Sequence, residues 1–168
     1  MSFSLYQASV PVYIRRLEAL SAILDKAAAY SSQRKIDPAV LIQARLFPDM
    51  LPLSRQVQIA CSHAIRGSAR LSGAEPMCVD DKVSSFDDLK ALISKTMEIV
   101  KAVDPKKMEG MEDRDITFPA GDRKITLKGA DYLLHFSMPN FYFHVTTAYD
   151  ILRHNGLEIG KDDFMGQG

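Results

Sequence analysis

Apolar and polar positions recur along much of the chain with the period of an α-helix. Near the N-terminus, apolar side chains stand at spacings of three and four residues: Tyr6, Val10, Tyr13, Leu17, Leu20, Leu24 and Ala27. This spacing predicts one long helix with a single apolar stripe, as in the seam of a helix bundle. Pro11 lies in the first turns of this helix and marks either its true start or a small kink.

Two more long helices are predicted by the same spacing. One opens at Leu51-Pro52 and runs to about Ser72-Gly73. Its stripe comprises Leu53, Val57, Ala60 or Cys61, Ala64, Ser68 and Leu71. The next helix begins after Ser85–Asp88, which resembles a capping box with Asp in the place of Glu, and Asp104-Pro105 stops it. Its stripe comprises Phe86, Leu89, Ile93, Thr96, Val100 and Val103.

Shorter segments connect these helices. Asp37-Pro38 predicts a short helix, with Asp as N-cap and Pro at the first helical position. Residues 74–84 are expected to form a loop. Beyond the third long helix the period changes to two, in Ile116–Phe118 and Ile125–Leu127. With Pro119–Arg123 as a loop between them, these segments predict a small β-hairpin.

The C-terminal part returns to a helical pattern. Gly129–Ser137 predicts a short helix that ends before Met138-Pro139, because the residue before a proline is disfavoured in the α region. A fourth long helix is expected from about Asn140 to His154. Asn155-Gly156 is its predicted C-cap. The tail at Ile159–Phe164 is expected to be ordered only if Phe164 finds a pocket.

These elements predict the fold class. Four long helices with short connectors indicate an all-α protein, an antiparallel four-helix bundle with a small β-hairpin before the last helix. With 168 residues and no repeat, the chain is expected to form one domain, residues 1–168. Bundles of this type build their sites from side chains on facing helices.

Composition and charge exclude several classes. The chain has 21 basic and 21 acidic side chains and is 46% apolar, which is typical of a soluble domain and not of a basic nucleic-acid binder. Apolar runs such as residues 39–42 are too short to span a membrane. The N-terminus has no basic region of a secretory signal, and the only cysteines, Cys61 and Cys78, form no C-x-x-C motif. A reduced, cytoplasmic setting is therefore expected.

Histidines are the main candidates for chemistry. His63 lies in the second long helix, offset from its apolar stripe, and His144 lies on an inward line of the fourth. No histidine pair has the H-x-x-x-H spacing of a helical zinc site. Each histidine could be a metal ligand, but the interpretation we favour is a core histidine hydrogen-bonded to a carbonyl or a hydroxyl. Cys61, two residues from His63, should point to another side of the helix.

One stretch carries a family resemblance. Pro139–Gly156, with the sequence PNFYFHVTTAYDILRHNG, resembles the signature of an uncharacterised bacterial and fungal family within the DinB/YfiT-like superfamily. Ala44–Leu53 and Ile159–Phe164 are similar to other recurring segments of that family, so the likeness covers essentially the whole chain. It implies a four-helix bundle that is often a homodimer. Better-known superfamily members are metal-dependent transferases, which use thiols, and an isomerase.

The resemblance also implies a metal site. The superfamily uses three histidines, one on the second helix and two on the last, four residues apart. On this sequence the first falls on His63, the second on His144 and the third on Ala148, which cannot bind a metal. The expected cofactor is therefore a divalent metal, zinc or nickel, held by His63 and His144, or no metal at all.

Three functional hypotheses follow for the chain. The first is a metal-dependent hydrolase or transferase that acts on a small-molecule substrate with an incomplete histidine triad. The second is a non-catalytic bundle that has lost the metal and binds a small molecule. The third is a structural role as a homodimer, with the histidines as core residues. No nucleic-acid or membrane partner is indicated.

Overall fold

The computed structural model describes residues 4–79 and 82–167 and is mostly helical. The helices are α1 (Leu5–Arg34), α2 (Pro38–Ile42), α3 (Leu53–Leu71), α4 (Phe86–Lys101), α5 (Gly129–Asp131), α6 (Met138–His154) and α7 (Lys161–Met165). A 3-10 turn at Pro105–Met108, a π-helix at Tyr132–Ser137 and strands β1 (Asp115–Ala120) and β2 (Arg123–Lys128) complete it. Residues 74–79 and 82–84 are loop, as predicted, and the loop's centre at 80–81 lies outside the described residues.

The long helices form where the apolar stripes predict them. In α1 the stripe from Val10 to Ala27 is buried, and Pro11 lies inside the helix on its exposed side. The predicted capping box at the start of α4 is present: the Ser85 hydroxyl accepts from the Asp88 amide, and the Asp88 carboxylate accepts from the Ser85 amide. Local sequence signals therefore define both helices and their ends.

Contacts between helices establish their directions. Asp25 pairs with Lys90 and Glu18 with Lys101, so α1 and α4 run antiparallel. Tyr13 packs on Phe141, whereas Tyr30, further along α1, donates to the carbonyl of Asn155, which directly follows the last residue of α6.

The contacts of Tyr13 and Tyr30 show that α1 and α6 run in the same direction. On α3, Arg70 contacts Tyr132 and His63 contacts His144, so α3 and α6 run antiparallel. The helices of the pairs α1–α4 and α3–α6 are therefore antiparallel, whereas α3 and α4 run in the same direction. The long connection between α3 and α4 makes this possible, because a short turn could not bring the chain back to the level at which α3 begins.

The β-hairpin has a tighter turn than the sequence suggested. Strand pairing extends to Ala120 opposite Arg123, so the loop is Gly121 and Asp122 alone instead of the five residues Pro119–Arg123. Gly121 has φ of +62°, the left-handed conformation that such two-residue turns require. Phe118 of β1 is buried, and its ring lies 4.5 Å from the ring of Phe136. The hairpin therefore packs on the π-helix.

The prediction that a helix ends before Met138-Pro139 is wrong. Met138 has α-helical angles, φ −66° and ψ −45°, and the chain is helical without a break from Gly129 to His154. The π-helix before Met138 provides wider turns, and the Asn140 side chain donates to the Phe136 carbonyl at 2.7 Å. These features accommodate a proline that lacks an amide hydrogen. Gly156, with φ of +93°, ends the helix as predicted.

The C-terminal segment packs against α1 and α6. The Phe164 ring lies edge-on to Tyr149, with centroids 5.7 Å apart, and under the Arg16 guanidinium at 5.5 Å. Arg16 also donates to the carbonyl oxygens of Phe164 and Met165. Phe164 thus has the pocket that an ordered tail requires. None of the helices in the described ranges combines the length and the apolar character needed to cross a membrane.

Candidate functional site

His63 and His144 meet in the groove between α3 and α6. Their rings are stacked, with centroids 5.8 Å apart and planes inclined by 18°. Both side chains are half-buried. The two helices place them there because α3 and α6 run antiparallel and each histidine lies on the inner edge of its helix. We refer to His63 and His144 as the histidine pair.

Gln56 fixes the orientation and the tautomer of His144. The Gln56 Nε2 donates to the carbonyl of Leu51 at 3.0 Å, so its Oε1 faces His144. That oxygen lies 2.7 Å from Nδ1 of His144 and must accept a hydrogen bond from it. In the neutral ring, Nδ1 therefore carries the hydrogen and Nε2 carries the lone pair. Gln56 and His63 share a face of α3, since they are seven residues apart.

Burial keeps both imidazoles neutral. It lowers the pKa of His63 from 6.5 to about 4, with further lowering by His144 and by the positive charges of Arg66 and Arg70. Burial also lowers the pKa of His144. At neutral pH the pair therefore presents uncharged rings, which is the form of histidine that binds a metal ion.

Aromatic rings border the histidine pair. Phe136, on the π-helix, lies 6.2 Å from the His63 ring, and Phe143 lies edge-on to His144 at 5.2 Å. Phe143 is 54% exposed, so one side of the pair opens to solvent past an apolar ring. The surroundings suit the apolar part of an organic molecule, whereas the ring nitrogens supply the polar contacts.

A second polar pair lies where α1, α3 and the π-helix meet. The hydroxyls of Tyr13 and Ser137 share a hydrogen bond of 2.8 Å, in which either group can donate, and both residues are fully buried. A Cβ on Gly67 would lie 2.5 Å from the Ser137 oxygen and closer still to the Tyr13 oxygen. Only glycine therefore allows α3 to approach this pair, which we call the core pair.

The structure brings together two of the three positions that the family resemblance implied. Ala148 is completely buried one turn beyond His144 and offers no donor atom. Within residues 4–79 and 82–167, no three histidine, cysteine, aspartate or glutamate side chains form a group that could hold a metal ion. Asp150 lines a separate surface pocket beside Lys161. Cys61 faces a cavity toward α4 and not the histidine pair, as its position in the helix predicted.

Gln56 is the site residue that sequence reasoning missed. It is an uncharged residue near the start of α3, and no motif includes it. The one available signal is its spacing of seven residues from His63, which puts both on one face. A histidine hydrogen-bonded to an oxygen acceptor through one nitrogen is the usual arrangement of a metal-ligating imidazole.

The donor set fits a weakly held transition-metal ion and does not fit a closed site. Two neutral imidazoles, one oriented by Gln56, can bind zinc or nickel and leave further coordination positions for water or a ligand. A three-ligand catalytic zinc site would need one more side-chain donor, which Ala148 cannot supply.

Comparisons with known proteins agree with this fold. The profile of the family described as "Domain of unknown function (DUF1993)" matches residues 5–165. The crystal structure of a DinB family member protein from Shewanella denitrificans, at 1.83 Å resolution, superposes with a TM-score of 0.90. It is 36% identical in sequence, over 96% of this chain and 92% of that one. No curated protein matches. The chain therefore belongs to the uncharacterised family DUF1993, whose fold is that of a DinB family member.

Proposed function

We propose that the protein is a DinB-type four-helix bundle whose histidine pair binds a divalent transition-metal ion, zinc or nickel, and that it acts as a metal-dependent hydrolase or transferase on a small molecule. The observation that carries this proposal is the hydrogen bond from His144 Nδ1 to Gln56, which directs the lone pair of Nε2 away from the protein amide. Beside it, the His63 ring is neutral and nearly parallel.

The chemistry of the proposal depends on open coordination positions. A divalent ion held by two imidazoles lowers the pKa of a bound water or thiol and so supplies a nucleophile near neutral pH. This chain's own contribution is to hold His144 in one tautomer through Gln56 and to keep both rings uncharged by burial. The half-exposed Phe143 supplies an apolar surface for the organic part of a substrate.

Metal content of the purified protein tests the proposal. The wild type without a histidine tag, at dialysis equilibrium with zinc or nickel, should hold about one equivalent of metal above the free concentration, measured by plasma mass spectrometry. His63→Ala and His144→Ala should each lose it. His135→Ala is the matched control, because His135 is exposed and its charged neighbour is Asp131, not a residue of the pair. A wild type that binds no zinc, nickel or manganese would overturn the proposal.

A second candidate function is favoured by Ala148. Its burial at the third ligand position is what a bundle that has lost its metal would show. In this alternative the histidine pair hydrogen-bonds an organic ligand directly, without catalysis. A ligand-induced rise in melting temperature that persists in the presence of a strong chelator would favour this binding function over the metalloenzyme.

A further inference from the structure

A positive charge lies on the same face of α3 as the histidine pair. Arg70 is seven residues beyond His63, so the two share a face of the helix, with Cα atoms about 10 Å apart. The Arg70 guanidinium lies over the ring of Phe118, 5.0 Å from its centroid, and over that of Tyr132 at 5.9 Å. Its Nη1 donates to the Tyr132 hydroxyl at 3.3 Å. Two buried rings therefore hold the guanidinium in place.

Phe136 connects this charge to the histidine pair. Its ring lies 4.5 Å from that of Phe118 and 5.8 Å from that of Tyr132. The same ring lies 6.2 Å from that of His63. Phe136 is half-buried, whereas the two rings that carry Arg70 are buried. A partly exposed aromatic surface therefore extends from the guanidinium to the histidine pair.

The guanidinium of Arg70 has donors left for a ligand. The side chain is half-buried and has five N–H groups, one of which binds Tyr132. In the part of the chain that the structure describes, neither Arg70 nor Arg66 forms an ion pair with a carboxylate. Helix α3 contains three arginines and no aspartate or glutamate. Besides burial and the His144 ring, the positive charges of Arg66 and Arg70 lower the pKa of His63, so their fields reach the pair.

The chemistry of Arg70 selects one class of substrate. A guanidinium binds a carboxylate or a phosphate through two parallel hydrogen bonds. We propose that the substrate of the histidine pair is an organic anion, whose carboxylate or phosphate group binds Arg70 while its carbon skeleton lies on Phe136 and its reacting group reaches the histidine pair. The two helical turns between Arg70 and His63 suit an extended molecule rather than a bare inorganic ion. This inference rests on the proposed function, since it takes the histidine pair as the place of reaction, and it adds the class of the substrate.

Binding of a linear dicarboxylate tests the proposal. Suberate can place one carboxylate on Arg70 and the other at the histidine pair, and its neutral diamide has the same length without the charge. In calorimetric titrations with and without zinc, suberate should bind at least about tenfold more tightly than the diamide. Arg70→Gln should lose this preference, and Arg66→Gln should reduce it by a smaller factor. Arg15→Gln is the matched control, because Arg15 is exposed in a groove lined by α1 and the C-terminal segment.

Metal content separates a failure of this inference from a failure of the proposed function. Arg70→Gln should hold at least as much zinc as the wild type, because Arg70 is not a ligand. Equal affinities for suberate and the diamide, or a preference that survives in Arg70→Gln, would overturn the anion site and leave the metal site standing. A protein that binds no metal but prefers suberate through Arg70 would support the anion site and contradict the metalloenzyme.

A measurement on the wild type covers the case in which Arg70→Gln does not fold. Nuclear Overhauser contacts from the methylene protons of bound suberate should reach the ring of Phe136 and the side chain of Arg70. Contacts confined to any other surface would contradict the proposed site.

Discussion

The core pair and the histidine pair both lie against α3, yet they differ in what they can do. Tyr13 and Ser137 are sealed from solvent, and their hydroxyls satisfy each other. His63 and His144 are half-buried, and their ring faces, not a mutual hydrogen bond, bring them together. On α3, Gly67 lies against the core pair, one turn from His63.

This difference shows that one helix, α3, can pack against both a structural polar pair and a pair available for chemistry. A buried polar pair that is fully satisfied specifies how the helices dock, because breaking it leaves an unpaired group in the core. A pair at the edge of the groove keeps its lone pairs for an external ligand. The same burial that raises the pKa of Tyr13 lowers that of His63, because in each case it disfavours the charged form.

A side chain at Gly67 should have the largest effect, which is a loss of stability. Gly67→Ala puts a methyl group against the oxygens of the core pair, and we expect the free energy of unfolding to fall by about 3 kcal/mol, although alanine is the better helix former. Chemical denaturation measures it. Gly160→Ala is the control, since a Cβ there meets no atom within 4 Å. A Gly67→Ala protein as stable as the wild type would mean that the core pair does not constrain the approach of α3.

Removing the hydrogen-bond partner of His144 should have the second largest effect, which is a loss of metal affinity. Gln56→Leu deprives Nδ1 of its acceptor, and we expect zinc or nickel affinity to drop by about 10- to 100-fold, measured by calorimetric titration. Gln56→Glu keeps an oxygen acceptor and should restore most of the affinity. If Gln56→Leu binds metal as tightly as the wild type, the hydrogen bond does not orient the ligand.

Removing one hydroxyl of the core pair should destabilise the protein less than Gly67→Ala does. Tyr13→Phe leaves the Ser137 hydroxyl buried without its partner, and we expect a loss of about 1–2 kcal/mol in unfolding free energy. The double variant Tyr13→Phe/Ser137→Ala should lose less than the sum of the single variants, since it removes both polar groups. Tyr142→Phe, at a partly exposed tyrosine, should leave stability unchanged. Strict additivity in the double variant would argue against a coupled pair.

Lowering the pH should distinguish the histidine pair from the core pair. The folded protein keeps His63 neutral down to about pH 4, whereas the unfolded chain takes up the proton near pH 6.5. The unfolded state therefore binds more protons in this window, and stability falls as the pH drops from about 6.5 to about 4. Allowing for the partial exposure of His63, we expect its share to be about 2 kcal/mol.

The comparison of two pH profiles isolates that contribution. Urea denaturation of His63→Gln should give a flatter profile than the wild type between about pH 6.5 and about pH 4. Tyr13→Phe should reduce stability equally across that range, because a tyrosine hydroxyl is not ionised there. Parallel profiles for His63→Gln and the wild type would show that His63 is not held neutral by the fold.

Sequence signals predicted the parts of the fold that depend on local chemistry. The apolar stripe of α1, the capping box at Ser85 and the terminating Gly156 each act within a few residues, so helical spacing and capping preferences suffice to find them. Those same local preferences misplaced a break at Met138, because the π-helix and the side chain of Asn140 compensate for Pro139. They also made the hairpin loop too long, since strand pairing past Pro119 depends on the partner strand.

The candidate site required tertiary structure. The sequence singled out His63 and His144 as candidates, and the family resemblance marked Ala148 as the missing third ligand. Neither could show that the two rings stack or that Gln56 holds one of them. Gln56 and His144 are 88 residues apart in sequence. Their contact exists only because α3 and α6 run antiparallel and pack closely against each other. The directions and separation of helices that are distant in sequence follow from the packing of the whole core, not from any local pattern.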